Sequence, residues 1–438
     1  MGKKIYLEVD TYTAVQRRLQ FIFEHFDNVY VSFSGGKDSG LLLNLVLSYM
    51  RANGITKKIG VFHQDFEAQY TETTRYVERV MTSNLDLIEP FWECLPKSSK
   101  TATSMYEQYW IPWDPAKQDI WVRPMPEFYG VINVDNNPFD FFTFGMMQED
   151  VYREFGPWYH RVVCGSKGRT IGLIGIRSDE SLNRWRAAST ERESSYLGAN
   201  WTSGISENVW CGYPLYDWPV EDIWTANAKF GYDYNKLYDL MHAAGLSVHE
   251  MRVASPFHDW AISTLKLYRV LEPNIWARMV GRVNGANFTA IYGGTDAVAW
   301  KNIKLPPGHT WKTYAEFLLS TLPEDTRNTY LSKIEASKKS WKVGGARSPE
   351  LIEQLIAEGA PVIRTGETNN RGKGAHEVIR FDDYLDDTGV DDFRLVPTWK
   401  RLVICILKND HLCKYMGFAQ TKREVERKKA IMEKYANL

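Results

Sequence analysis

The segment Asn28-Val29-Tyr30-Val31-Ser32-Phe33 is a short run of β-prone residues. It leads into the turn Ser34-Gly35-Gly36-Lys37-Asp38-Ser39 and then into Leu41-Leu42-Leu43-Asn44-Leu45-Val46-Leu47, apolar on every side. That order predicts a strand, a loop and a buried helix. A second strand is expected over Lys58–His63, a helix over Thr71–Met81 and a third strand near Leu85–Pro90, with another strand, Thr170–Ile176, much later. Strands alternating with helices predict an α/β fold built on a parallel sheet covered on both faces. The stretch of about 95–160, with Trp110, Trp113, Trp121 and several prolines, reads as an insertion over that sheet. From Pro256 the pattern becomes helical, with helices over Thr310–Leu322 and Glu324–Lys339. The polar, glycine-bearing stretch Thr365–Gly374 reads as an exposed loop and is followed by an acidic patch of Asp382, Asp383, Asp386, Asp387, Asp391 and Asp392. Lys400–Leu438 reads as a helix in which ten Lys or Arg outweigh four acidic residues, giving it a basic character. The expected organisation is an α/β domain over 1–255, a helical domain over 256–345 and a C-terminal region over 346–438.

Composition narrows the class without naming a function. Apolar residues make up 44% and charged residues 24%, a globular balance, and 438 residues exceed one ordinary domain. Lys plus Arg number 53 against 54 acidic residues, so no global field recruits nucleic acid or an anionic membrane. No apolar run reaches the roughly 20 residues that span a bilayer, and the N-terminus lacks an apolar signal core, so no membrane association and a cytoplasmic location are expected. Five scattered cysteines form no C-x-x-C pair and no zinc or iron–sulfur spacing, and no metal-ligand set is expected among them.

The loop carries the chemistry. Between a buried strand and a buried helix it turns backbone N–H groups toward the positive end of the helix, a point that suits phosphate oxygens. Gly35 and Gly36 permit close approach, Lys37 supplies a cation, and Ser34 and Ser39 offer hydroxyl donors. The spacing G-x-x-x-x-G-K-[ST] is absent, which excludes the Walker type. A glycine-rich turn can also join strand to helix without binding anything; six residues of matching type in this setting favour the anion site. Arg177 and Arg184, after the late strand, suit a second anion because a guanidinium grips phosphate or sulfate oxygens in a fork. Glu180 stands at helical spacing to pair with Arg184, and a solvated ion pair is the alternative for that segment. Trp218 and Trp224 read as core.

In this setting the fingerprint Ser34–Ser39 resembles that of the PP-loop ATP pyrophosphatase superfamily, whose fold is of the adenine nucleotide α-hydrolase type. Within it the chain is similar to the phosphoadenosine phosphosulfate (PAPS) reductase family. Asp65–Thr73 resembles that family's D-x-G-x-x-F-x-E-T pattern, with Asp65, Glu72 and Thr73 in register and Glu67 where the family has glycine, so the local turn is expected to differ. Gly175–Arg184 resembles G-x-R-x-x-E-S-x-x-R, and Tyr213–Trp224 resembles P-x-x-D-W-x-x-x-D-V-W. The resemblance covers roughly residues 25 to 260 and implies a nucleotide site of Ser34, Gly35, Gly36, Lys37, Asp38, Ser39, Glu72, Arg177, Glu180 and Arg184. It implies ATP or a PAPS-like adenine nucleotide as ligand, with Mg²⁺. Lys37 would stabilise developing charge, Arg177 would join it among the catalytic residues, and Asp38 and Asp65 would orient Mg²⁺ or substrate, unless those aspartates serve only as a helix cap or a turn residue.

The thiol chemistry of the reductases has no counterpart in the sequence. The E-C-G-[IL]-H tail is absent, and Ala244–Arg252 stands where a cluster-binding branch has Cys pairs. Cys413 is the late thiol near basic residues, and Cys164 reads as a small core residue. The chain length, Trp341–Gly345 and Pro397–Arg401 resemble the long IbrA/YbdN-like subfamily of PAPS reductase-related proteins. That resemblance implies a ParB/sulfiredoxin-like protein partner and a link to regulation, with no established reaction. Three functions follow as alternatives. One is adenylation of a substrate with release of pyrophosphate. Another is nucleotide sensing or nucleic-acid binding without turnover, through the basic C-terminal helix with Tyr415, Phe418 and Tyr435. The third is sulfonucleotide reduction or DNA-sulfur modification.

Overall fold

The computed structural model describes residues 8–180, 194–258, 261–287, 289, 303, 305–369, 376–390 and 396–418. Its centre is a seven-stranded sheet of β1 (Asn28–Ser32), β2 (Ile59–Gln64), β3 (Ile88–Glu93), β6 (Val131–Ile132), β7 (Thr170–Ile174), β8 (Thr202–Ser206) and β9 (Val209–Gly212). The strand order is β6-β3-β2-β1-β7-β9-β8. Every pairing is parallel except β8 with β9. The chain steps outward from β1 through β2 and β3, then returns to place β7 on the other edge of β1. That reversal is a topological switch point, where a crevice opens at the carboxyl ends of β1 and β7.

Alternation along the strands makes the three layers. Val29 and Val31 of β1 join Ile59 and Val61 of β2 in one core with α1 (Thr11–His25), α2 (Lys37–Ala52) and α3 (Thr71–Ser83). Tyr30 and Phe62 point to the other face, against Phe155 and Trp158 of α4 (Gln148–Trp158). Both faces are buried, as the uniformly apolar strands require. The third strand begins at Ile88, later than the sequence pattern suggests, because the Asn84 carbonyl accepts the N–H groups of Leu87 and Ile88 and holds that stretch in a turn. The insertion supplies the edge strand β6 and the helix α4, together with a small antiparallel pair, β4 (Ser99–Lys100) and β5 (Tyr109–Trp110).

After the sheet come α5 (Val220–Phe230), α6 (Leu237–Ala243), α7 (Ile262–Leu271) and α8 (Pro273–Arg282). Helices α6 to α8 share one core with the insertion and the turn after β2: Leu237, Tyr238, Leu265, Trp276 and Met279 pack with Trp110 and Val122 and with Ala68 and Tyr70. Farther on, α9 (Trp311–Thr321), α10 (Glu324–Val343) and α12 (Trp399–Leu407) form another core. A three-stranded antiparallel sheet, β10 (Gly345–Arg347), β12 (His376–Arg380) and β11 (Ile363–Asn369), packs with α11 (Pro349–Ala357).

Two expectations for this region are corrected. Thr365–Asn369, read as loop, is strand: the backbone pairs with β12, the Thr365 hydroxyl donates to the Val378 carbonyl at 3.0 Å, and the ladder absorbs an irregularity between Arg364 and Thr368. The helix expected from Lys400 onward stops at Leu407, where Asn409 takes a positive φ of 50°. Its residues Leu402, Val403, Cys405 and Ile406 are buried, since an apolar run of that density is a core helix. Residues 419–438, including Tyr435, lie outside the described residues.

Candidate functional site

The loop Ser34–Ser39 leaves β1 and enters α2 at Lys37, at the switch point. Its shape is fixed from within. The Ser39 hydroxyl lies 2.9 Å from that of Ser34, accepts the Ser34 N–H at 3.1 Å, and donates to the Gly36 carbonyl at 3.2 Å. Gly35 has φ of +74°, and a Cβ there would meet Val77 Cγ2 at 2.9 Å and Thr73 Cγ2 at 3.1 Å, so a side chain would both strain the turn and strike α3. The loop is also held from α6: Asn235 Nδ2 donates to the Gly35 carbonyl at 2.9 Å and to Thr73 Oγ1 at 3.0 Å, and the Tyr238 hydroxyl accepts the Lys37 N–H at 2.9 Å.

The neighbouring strand completes the charge pattern. Gly175, just past β7, lies so close to the loop that a Cβ would meet the Asp38 carbonyl carbon and the Ser39 nitrogen, each at 2.9 Å. That approach brings Arg177 to Asp38, with Nε 2.5 Å from Oδ1, while Lys37 Nζ reaches Oδ2 at 3.0 Å. Arg177 also stands 3.7 Å from Glu180. Lys37 and Arg177 are buried, so Asp38 serves as a shared counterion between two cations. Burial lowers the Lys37 pKa from its ordinary value, with Asp38 opposing the shift and Arg177 and Arg252 adding repulsion. The two cations line a cavity of about 160 Å³ with Asp179, Glu180, Glu221, His249 and Arg252.

The structure therefore brings Ser34, Gly35, Gly36, Lys37, Asp38, Ser39, Arg177 and Glu180 to one place. Glu72 stands apart, in the first turn of α3 and paired with Arg75 at 2.7 Å. Arg184 lies outside the described residues. Asn235, Tyr238, His249 and Arg252 escaped the sequence reading, since they lie 200 residues downstream of the loop in a stretch with no phosphate-binding spacing.

Asp65 sits just past β2 in a fully buried network. Its carboxylate accepts from Trp92 Nε1 at 2.8 Å, from the Glu67 N–H at 2.8 Å and from Arg123. Burial alone would raise its pKa; Arg123, His63 and the Trp92 bond reverse this and hold it below the usual range. Beside it, Glu93 and Lys97 form a second fully buried pair at 2.7 Å. Glu67, in place of the family's glycine, has a left-handed backbone at φ 61°. Its carboxylate accepts from Arg282 Nε at 3.0 Å, the Trp113 N–H at 2.7 Å and the Val122 N–H at 2.9 Å. A left-handed non-glycine residue costs roughly 1–2 kcal/mol. Four hydrogen bonds to a buried carboxylate offset that strain. Both oxygens of Asp65 and both of Asp38 are engaged, so neither carboxylate is prepared for Mg²⁺. Among the described residues no group of three or more His, Cys, Asp or Glu is arranged to hold a metal ion.

His63 gives this region a pH signature. Its Nδ1 donates to the Phe33 carbonyl at 2.7 Å, the tautomer a carbonyl acceptor demands, and burial lowers its pKa from 6.5 to about 4. The unfolded imidazole takes up a proton below 6.5 while the folded one resists until about 4. Its contribution to stability is therefore present above 6.5 and is lost as the pH falls toward 4. Urea midpoints measured across that window should fall with pH, less steeply in His63→Gln. Equal slopes would remove His63 as the cause.

The late thiols are in the C-terminal core. Cys413 and Cys405 are buried, and burial pushes the Cys405 thiol up. The Lys408 ammonium donates to the Tyr415 hydroxyl at 3.2 Å, and Phe418 packs on the same core. Among the described residues no helix is long and apolar enough to cross a membrane.

A mostly parallel sheet whose switch point carries the S-G-G-K-D-S loop, with the G-x-R segment on the adjoining strand, defines an α/β protein with the loop in the setting that its resemblance to PP-loop proteins implies. The chain is 34% identical over 427 residues to the uncharacterized protein YbdN of Escherichia coli K12, a match that covers 96% of this chain and 93% of that protein, and it belongs to the YbdN family. Residues 245–427 match the family model described as a domain of unknown function, DUF3440. Among solved structures, PAPS reductase from Candida auris in its phosphate complex aligns at 15% identity over 53% of this chain and 85% of that one, with a TM-score of 0.27. FMN adenylyltransferase of Candida glabrata with FAD and pyrophosphate aligns at 14% identity over 54% of this chain and 64% of that one, with a TM-score of 0.30.

Proposed function

We propose that the chain binds ATP or a related adenine nucleotide at Ser34–Ser39 and cleaves its α–β phosphate bond, adenylating an acceptor and releasing pyrophosphate. One observation carries the reading: two buried cations, Lys37 and Arg177, share one counterion and line a cavity at the end of a glycine loop. The phosphate chain takes over the role of Asp38 as counterion. A nucleophilic atom of the acceptor attacks the α-phosphorus, the bond to the bridging oxygen breaks, and its electron pair leaves with pyrophosphate. Lys37 and the loop N–H groups meet the charge that develops there. A ParB/sulfiredoxin-like protein is the partner this reading assigns to the family, and an acceptor delivered by that partner is its natural extension.

Incubation with α-labelled ATP and Mg²⁺, with and without the partner, tests the reaction. AMP or an adenylated product together with pyrophosphate supports it, whereas ADP and phosphate would refute α-phosphate attack. Arg177→Ala should reduce turnover per folded molecule by about 10-fold or more, the scale of one lost charge-assisted hydrogen bond. A large drop in melting temperature with unchanged turnover per folded molecule would leave Arg177 a structural residue.

A further inference from the structure

The stretch matched by the DUF3440 model reaches back over the loop. It begins at residue 245, and its His249 and Arg252 line the same cavity as Lys37 and Arg177. The cations there differ in how they are neutralised. Lys37 is held by Asp38, Arg177 by Asp38 and Glu180, and His249 stands 3.6 Å from Glu221. Arg252 is exposed, and among the described residues no carboxylate pairs with it. Its repulsion nonetheless reaches Lys37, so the two charges act on one space. That space is about 160 Å³.

Among the described residues Arg252 has no carboxylate partner, so its guanidinium can meet a ligand's oxygens without first breaking an ion pair. Lys37 and the loop serve the anionic group at the helix end. Arg252, carried by the chain after α6, lines the same cavity. Its fork geometry suits phosphoryl oxygens better than a point charge would.

Resting on the phosphate-loop reading above, we infer that Arg252 is a specificity-determining residue: it grips a second linked phosphoryl group, so the site selects a di- or triphosphate over a monophosphate. The discrimination is thereby supplied by the DUF3440 segment and not by the loop.

Calorimetry on the full chain, with pyrophosphate, orthophosphate, ATP and AMP as probes, tests this in wild type, Arg252→Ala, Arg252→Lys and Lys37→Ala. Arg252→Ala should weaken pyrophosphate and ATP by about 10- to 100-fold, the range of one charged hydrogen-bonding group, and leave orthophosphate and AMP within about 2-fold. Arg252→Lys should recover part of the loss, and Lys37→Ala should weaken all four. Equal losses for all four probes in Arg252→Ala, or none, would overturn the inference. The two readings fail separately. Pyrophosphate binding that depends on Arg252 without any binding of ATP or AMP keeps Arg252 and removes the adenine nucleotide; ATP binding lost in Lys37→Ala and untouched in Arg252→Ala does the reverse. A wild type that binds none of the four refutes both.

Discussion

Lys37→Ala combined with Ser39→Ala is expected to abolish adenine-nucleotide binding by a chain that remains folded. The two side chains act differently. Lys37 is the cation at the first turn of α2, and its loss leaves Asp38, among the described residues, with Arg177 alone, so an acidic group faces the arriving phosphate half-neutralised. Ser39 shapes the loop, with its hydroxyl bridging Ser34 and the Gly36 carbonyl across the turn. Losing the ammonium alone should lower affinity by about 10- to 100-fold, and losing the hydroxyl lets the N–H groups diverge. Both residues border the hydrophobic core without filling it, so the melting temperature should shift by only a few degrees. Calorimetry with ATP on the double variant decides the matter: an unchanged Kd would remove the loop from the site.

Arg282→Ala should be the most destabilising single change outside the hydrophobic core. It strands the Glu67 carboxylate, which is fully buried and fixed on a left-handed backbone. Removing one partner of a buried pair costs about 3–5 kcal/mol. Urea unfolding should register that loss. The companion double variant Glu67→Gly with Arg282→Met should recover much of it, because no charge is left unpaired and glycine accepts the positive φ. A loss below about 1 kcal/mol in Arg282→Ala would mean that water reaches the pair.

The sheet and the loop were legible because their signals are local. β1, the turn and α2 follow one another without interruption, and the alternation of Val29, Tyr30 and Val31 already distributes them between two faces. The clamp on the loop was not legible, because Asn235 and Tyr238 meet Gly35 and Lys37 only through tertiary packing. Glu67 is instructive in another way. In sequence it marked a departure from a glycine pattern; in the structure its backbone is left-handed, with the carboxylate's hydrogen bonds offsetting the strain. Thr365–Asn369 and Trp399–Leu407 show the remaining ambiguity, since polar composition suits an exposed strand as well as a loop, and a basic segment can hide an apolar core helix.

The core that joins Ala68, Tyr70, Trp110 and Val122 to the helices at 237–282 bears on how the protein can be divided. The matched segment starts at 245, inside that core, downstream of Tyr238 and upstream of Leu265. Excised at that point, each fragment would carry half of an apolar interface into water, together with an orphaned Glu67 or Arg282. Neither the segment from 245 onward nor the loop-bearing part before it is thus a portable module, and fusions, truncations or exchanges between relatives should keep 28–289 as one inheritance unit.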